Sequence, residues 1–239
     1  MGGESPAKGR GWQGAAAALI AIVLVAGVIL VLGGRDDPAP PADHAAPSTS
    51  GGSSAPADED TGACPRTTAT DQTPSAAPVV TWGLVEGLAL PVSESAGPHR
   101  TDGDVAQCYA HSPEGALIAA VQISSRMVVA EDWATVMREQ VLMDDVEGLI
   151  EQREKYEKDA PDVAPAPGEL GQVAGYQWVT ATEDLVVVDL VNRFEGDRLQ
   201  VSTVTMRWQD GDWRYVGDGK SQPKSIKTLS GYVPWSGVA

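Results

Sequence analysis

Leu185–Glu195 (LVVVDLVNRFE) and Arg198–Trp208 (RLQVSTVTMRW), parted only by Gly196-Asp197, form the stretch that decides the fold. Both runs are rich in β-branched residues. The two residues between them tolerate positive φ, as a tight hairpin requires. In the second run Val204, Met206 and Trp208 share one face while Thr203, Thr205 and Arg207 share the other. One side therefore predicts core and the other predicts water. Outward from this pair, Gln172–Thr180 (QVAGYQWVT) and Trp213–Gly217 keep the period of two. Glu183-Asp184 and Asp210-Gly211 supply the turns, and such short connections predict an antiparallel meander.

Upstream, the period changes to that of helices. Ser112-Pro113-Glu114 combines a capping hydroxyl, a proline preset for the first turn and a carboxylate favoured by the helix dipole. Ala116, Leu117, Ala120 and Val121 follow at helical spacing. A second helix carries Trp133, Val136, Met137, Gln140 and Val141, opened by Glu131 or Asp132. A third begins near Asp144-Asp145, offers Val146, Leu149 and Ile150, and ends before Pro161, Pro165 and Pro167. Val79–Leu90 reads as one or two short strands, and Pro91–Val105 as a loop with turns at Gly97-Pro98 and Asp102-Gly103. Helices first and a meander after predict an α+β domain over residues 64–239.

Further out lies a segment of another kind. Residues 33–63 are Pro, Ala, Ser, Gly, Thr and acid without a large apolar residue, so they predict a disordered tether. Residues 15–32, AAAALIAIVLVAGVILVL, carry no charge and no proline. As a helix they would span about 27 Å, close to the hydrocarbon thickness of a bilayer. Lys8 and Arg10 in the leader, residues 1–14, predict a cytoplasmic N-terminus, with everything after Leu32 outside the cell membrane. The 239 residues carry a net charge of −16, which excludes nucleic-acid binding through a general basic field. Cys64 and Cys108 both fall on the exterior side, where an even pair predicts a disulfide.

No sequence motif supplies a catalytic, cofactor or metal site. Gly83-Leu84-Val85-Glu86-Gly87 lacks the central serine of a nucleophile elbow. Asp102 and Asp104 are too few for calcium and read as a solvated turn. His111, beside the helix start, reads as exposed or capping. Asp189 is the one acid within the apolar run Leu185–Val191 and reads as an open-face residue, with Arg207 a partner within reach. Turned inward, it would mark a pocket. Six exterior tryptophans beside a single phenylalanine, Phe194, must furnish most of the aromatic core. Trp178 and Trp208 would fill or line the space between helices and sheet. Trp235 would either pack back on the domain with Tyr232 or anchor a partner.

The anchor, tether, helices and a meander ending in Asp210-Gly211-Asp212-Trp213-Arg214 resemble membrane-tethered nuclear-transport-factor-2-like domains. These include the assembly factors of type IV secretion systems with their Gram-positive conjugation relatives, and the Mce-associated membrane proteins of actinobacteria. The exterior also resembles actinobacterial membrane proteins found with conjugative elements. That likeness is carried by Val92–Pro98, Cys108–Ala116, Trp133–Gln140 and Gly231–Trp235. The resemblance implies a curled sheet closed by helices into a cone, and it carries over no catalytic residue. The expectation is a non-enzymatic, single-pass membrane protein whose outer domain is an interaction or scaffold component of a conjugative transfer apparatus. Its partners would be other cell-envelope proteins or a second copy, with no nucleic acid and no cofactor. The alternative is an extracytoplasmic binder of a small apolar ligand held in the cone.

Overall fold

A computed structural model describes residue 64 and residues 72–160, 169–217 and 222–237. The expected membrane span, residues 15–32, and the tether, residues 33–63, lie outside the described residues. Among those described, no helix is long and apolar enough to cross a membrane.

The chain opens with a hairpin of β1 (Thr81–Val85) and β2 (Leu88–Val92), turned at Glu86-Gly87 with φ of 46° and 85°. The expected loop over Pro91–Val105 holds a further hairpin, β3 (Arg100–Asp102) with β4 (Val105–Gln107), turned at Gly103-Asp104. Three-residue strands of this kind leave too little alternation to be read from sequence. Then come α1 (Pro113–Val129), α2 (Trp133–Gln140), the two-residue strand β5 (Val141–Leu142) and α3 (Val146–Asp159). The caps are Ser112, Asp132 and Asp145, whose side chains accept the amides of Gly115, Thr135 and Gly148.

The meander follows as β6 (Gln172–Ala181), β7 (Leu185–Phe194), β8 (Arg198–Gln209) and β9 (Asp212–Val216), with β10 (Lys224–Ile226) and β11 (Val233–Pro234) in the tail. The sheet runs β11-β6-β7-β8-β9-β5, and β10 pairs with β8 on the same side as β9. All pairings are antiparallel except β5 with β9. The architecture is α+β, with a large sheet that does not close into a barrel.

α1 is the buried centre. From Gly115 to Ile123 every residue is buried, because the helix is enclosed by β7, β8 and β9 on one side and by β2, β4 and α2 elsewhere. Val186, Val188, Leu190, Val204, Met206 and Trp213 meet it from the inner face of the sheet. Small residues let the backbones approach; a Cβ at Gly115 would collide with the carbonyl of Ala110. Two polar side chains on α1 are used rather than tolerated. Gln122 donates to the carbonyl of Pro91 and accepts from Arg126, which in turn donates to the carbonyl of Asp104. Arg153 of α3 donates to the carbonyls of Met127 and Val128 and lies 3.9 Å over the Trp133 ring, which ties α3 to the end of α1.

The outer face is not uniformly wet. Leu199 and Val201 point away from α1, yet both are buried, together with Ala174 and Val191, beneath Ile226, Leu229 and Tyr232. The tail crosses this face as a strap. β10 lies against Leu199–Val201 at one edge, and β11 against Gly175-Tyr176 at the other. Gly175 is required there, since a Cβ would stand 2.8 Å from the carbonyl of Val233. Trp235 ends the strap inside the main core, with its amide donating to Ala174 at 3.0 Å. Its ring centroid lies 5.3 Å from that of Trp82 and 5.7 Å from that of Tyr176. Replacing Trp235 with Ala should therefore cost about 3 kcal/mol or more in urea unfolding, whereas a tail that merely awaits a partner would show no loss.

Candidate functional site

The most constrained point of the domain joins the cystine to the β8–β9 hairpin. Cys108 is bonded to Cys64, has φ of 66°, and is followed by Tyr109 and Ala110 leading to the cap of α1. Asp212, only 5 % exposed, holds this corner. Its Oδ2 accepts the Cys108 amide at 2.8 Å, and its Oδ1 accepts those of Tyr109 at 3.1 Å and Trp213 at 2.9 Å. The Trp213 indole donates to the carbonyl of Ala110 at 2.8 Å. Burial pushes the Asp212 carboxyl above its ordinary pKa, and the three backbone amides, with nearby Arg214, pull against that rise. The sequence places a turn at Asp210-Gly211 and marks Asp212 only as part of the hairpin that carries the family resemblance. The available signal was an acid immediately before a core tryptophan, a place where its charge has no water.

Acid–base chemistry gathers one step away. His111 stacks on Trp208 with centroids 4.0 Å apart and planes 8° from parallel, and it meets Trp213 edge-on at 6.0 Å. Its Nε2 lies 2.9 Å from Oδ1 of Asp184. His111 borders an open cleft of about 300 Å³ that it shares with Pro113, Thr182 and Glu183. The adjacent Ser112 hydroxyl is committed to the Gly115 amide, and Thr182 Oγ1 to the Leu185 backbone. The histidine is therefore a half-buried stacking residue, and the cap is Ser112.

Of the other residues singled out from sequence, Trp178 and Trp235 share Tyr176 as a neighbour, while Trp208 and Asp189 lie elsewhere. Trp178 donates to the carbonyl of Pro74 at 3.0 Å and packs edge-on against Tyr176, whose hydroxyl donates to Ala76. Trp235 is on that same β6 side. Trp208 lies with His111 on the β8 side. Asp189 is on the outer face, and its partner is Thr203, whose Oγ1 donates to it at 2.6 Å, rather than Arg207. Asp104 is built into the fold, with its carboxylate accepting the Asp132 amide at 2.8 Å. A second cleft, of about 380 Å³, opens at the β5–β9 edge, where Arg207 and Asp144 share its lining with aliphatic side chains.

These observations define an α+β domain with helices on one sheet face, a C-terminal strap on part of the other, and a cystine at its N-terminal corner. Residues 45–234 match the family described as a domain of unknown function, DUF8175, and the chain belongs to that family. No curated protein and no solved structure matches it significantly.

Asp212→Asn tests the corner. An amide cannot accept all three N–H groups, so unfolding should cost about 1–3 kcal/mol less than in wild type. Because the folded pKa of Asp212 is raised, the wild type binds this proton more tightly when folded. The stability gap should be widest at acid pH, narrow as pH rises through that raised value, and then level off. A gap independent of pH would contradict the assignment.

Proposed function

We propose that this is a membrane-anchored extracytoplasmic domain without catalytic activity, which serves as an interaction or scaffold component of the cell envelope. The observation that carries the reading is the free edge of β1. β1 pairs with β2 on one side only, and among the described residues no strand lies along its other side. Leu84 on this edge is 78 % exposed, and Val79 just before it is 93 % exposed. An unpaired strand edge with apolar side chains is a template for adding a strand from another chain. In the large sheet the sides of β6 and β8 that face away from β7 are covered by β11 and by β9 with β10, strands of two to five residues.

The remaining parts support the same reading. Residues 15–32 have the length and polarity of a membrane span, and residues 33–63 have the composition of a spacer that holds the domain away from the lipid. The cystine suits an oxidising exterior. Helices preceding an open antiparallel meander, with α1 packed in its inner face, support the likeness to nuclear-transport-factor-2-like domains. That likeness in turn suggests a place in a conjugative transfer apparatus. The apolar-ligand alternative draws no support from the interior, where Leu117, Val121, Val204, Met206 and Trp213 fill the space between α1 and the sheet.

A photo-crosslinking residue at Leu84, in the full chain on intact host cells, tests the proposal. It should give adducts with an envelope protein, and the same probe at exposed Lys155 on α3 should not. Equal adducts at both positions, or none at Leu84, would overturn it.

A further inference from the structure

The second cleft lies at the opposite end of the sheet from β1, and its chemistry differs. In a chain of net charge −16, Arg207 and Arg214 stand directly across from each other on β8 and β9. Both lie on the outer face, since their neighbours Met206, Trp213 and Tyr215 pack inward. Like charges placed directly opposite on a sheet destabilise it. Among the described residues neither guanidinium makes a hydrogen bond or a close ion pair. Asp212, whose charge Arg214 feels, has both oxygens committed to backbone amides. Arg207 projects into the cleft, whose floor is Val141, Leu142, Met143 and Val216. Asp144 is the other charged residue of the lining, with no ion pair to Arg207. The cleft thus offers a cation with a second cation beside it, an aliphatic floor and a separate acceptor.

We propose that this cleft binds the C-terminal carboxylate of a peptide that ends in a small aliphatic residue. Each group of such a residue has a counterpart. The carboxylate meets Arg207, reinforced by Arg214, in a charge-assisted pair. The side chain covers the aliphatic floor, and the amide N–H of the same residue faces the Asp144 carboxylate. A phosphate or sulfate would satisfy the arginines but leave the floor bare. The cleft, of about 380 Å³, is open to solvent, so a chain end from another molecule can enter it. The proposal goes beyond the β1 edge: it names a different site with its own class of partner, and either could fail while the other stands.

The test is a fluorescence-polarisation titration of the full-length chain in detergent micelles with fluorescein-Gly-Ser-Gly-Val-Val bearing a free C-terminus. Saturable binding is expected, weakened by about tenfold or more when the same peptide is C-terminally amidated. Arg207→Gln should produce the same loss and Arg214→Gln a smaller one, while Asp189→Asn, away from the cleft, should bind as wild type does. Arg207→Gln should keep or raise the thermal midpoint, because it relieves a like-charge pair. The acid–amide comparison on wild type stands independently of every variant. Equal binding of acid and amide, or no saturation below about 1 mM, would overturn the proposal. So would displacement by isovalerate at the same concentration as by unlabelled peptide, since the site would then take free small acids rather than chain ends.

Discussion

Three backbone amides converging on one buried carboxylate hold the domain together where its pieces meet. Asp212 fixes Cys108 in a left-handed conformation, aligns Tyr109, and caps its own neighbour Trp213. Two residues further along, Trp213 reaches back to Ala110, and Ser112 then starts α1. The cystine, the first turn of the central helix and the β8–β9 hairpin thus share one small corner. The bond from Cys108 closes a loop of sequence separation 44. In the chain-entropy picture that closure contributes on the order of 4 kcal/mol. An N-terminal tether would therefore attach, through the cystine, directly to the core and not only through the peripheral β1–β2 hairpin.

The distribution of free surface follows from how the sheet is covered. α1 and its neighbours take the whole inner face, while the tail takes only the end of the outer face around Val191, Leu199 and Val201. The rest of that face keeps Asp189 with Thr203, and Arg207 opposite Arg214. Short strands blunt most edges, as soluble sheets require. Among the described residues, the β1 edge is apolar and uncharged, while the β5–β9 cleft carries Arg207 above an aliphatic floor. The two differ in kind: one offers backbone groups and apolar side chains, the other a cation.

Much of this was legible in the sequence because local rules and global packing agree. The turns at Gly196-Asp197 and Asp210-Gly211 adopt the positive φ values their residues permit, and the meander strands begin and end within a residue or two of their hydrophobic pattern. Ser112 and Pro113 open α1 as their chemistry dictates. What escaped was non-local. Leu199 and Val201 alternate as water-facing residues, and only the returning tail, some thirty residues later, explains their burial. Asp212 reads as a turn acid until Cys108 and Tyr109 are brought to it from a hundred residues upstream. The partner of Asp189 is a hydroxyl directly across the ladder, a choice set by register that composition does not encode. Of the site residues named from sequence, the two cysteines meet and Trp178 and Trp235 flank Tyr176, while Trp208 and Asp189 fall at separate places.

An exterior domain stapled at the corner that Asp212 organises is the claim on which the compartment, the load path and the free edges all rest. Maleimide labelling of the protein taken directly from its host, before and after reduction, tests it most directly. The expected result is no label on Cys64 or Cys108 until a reductant is added, and label on both afterwards. Full labelling of both thiols without reduction would contradict it.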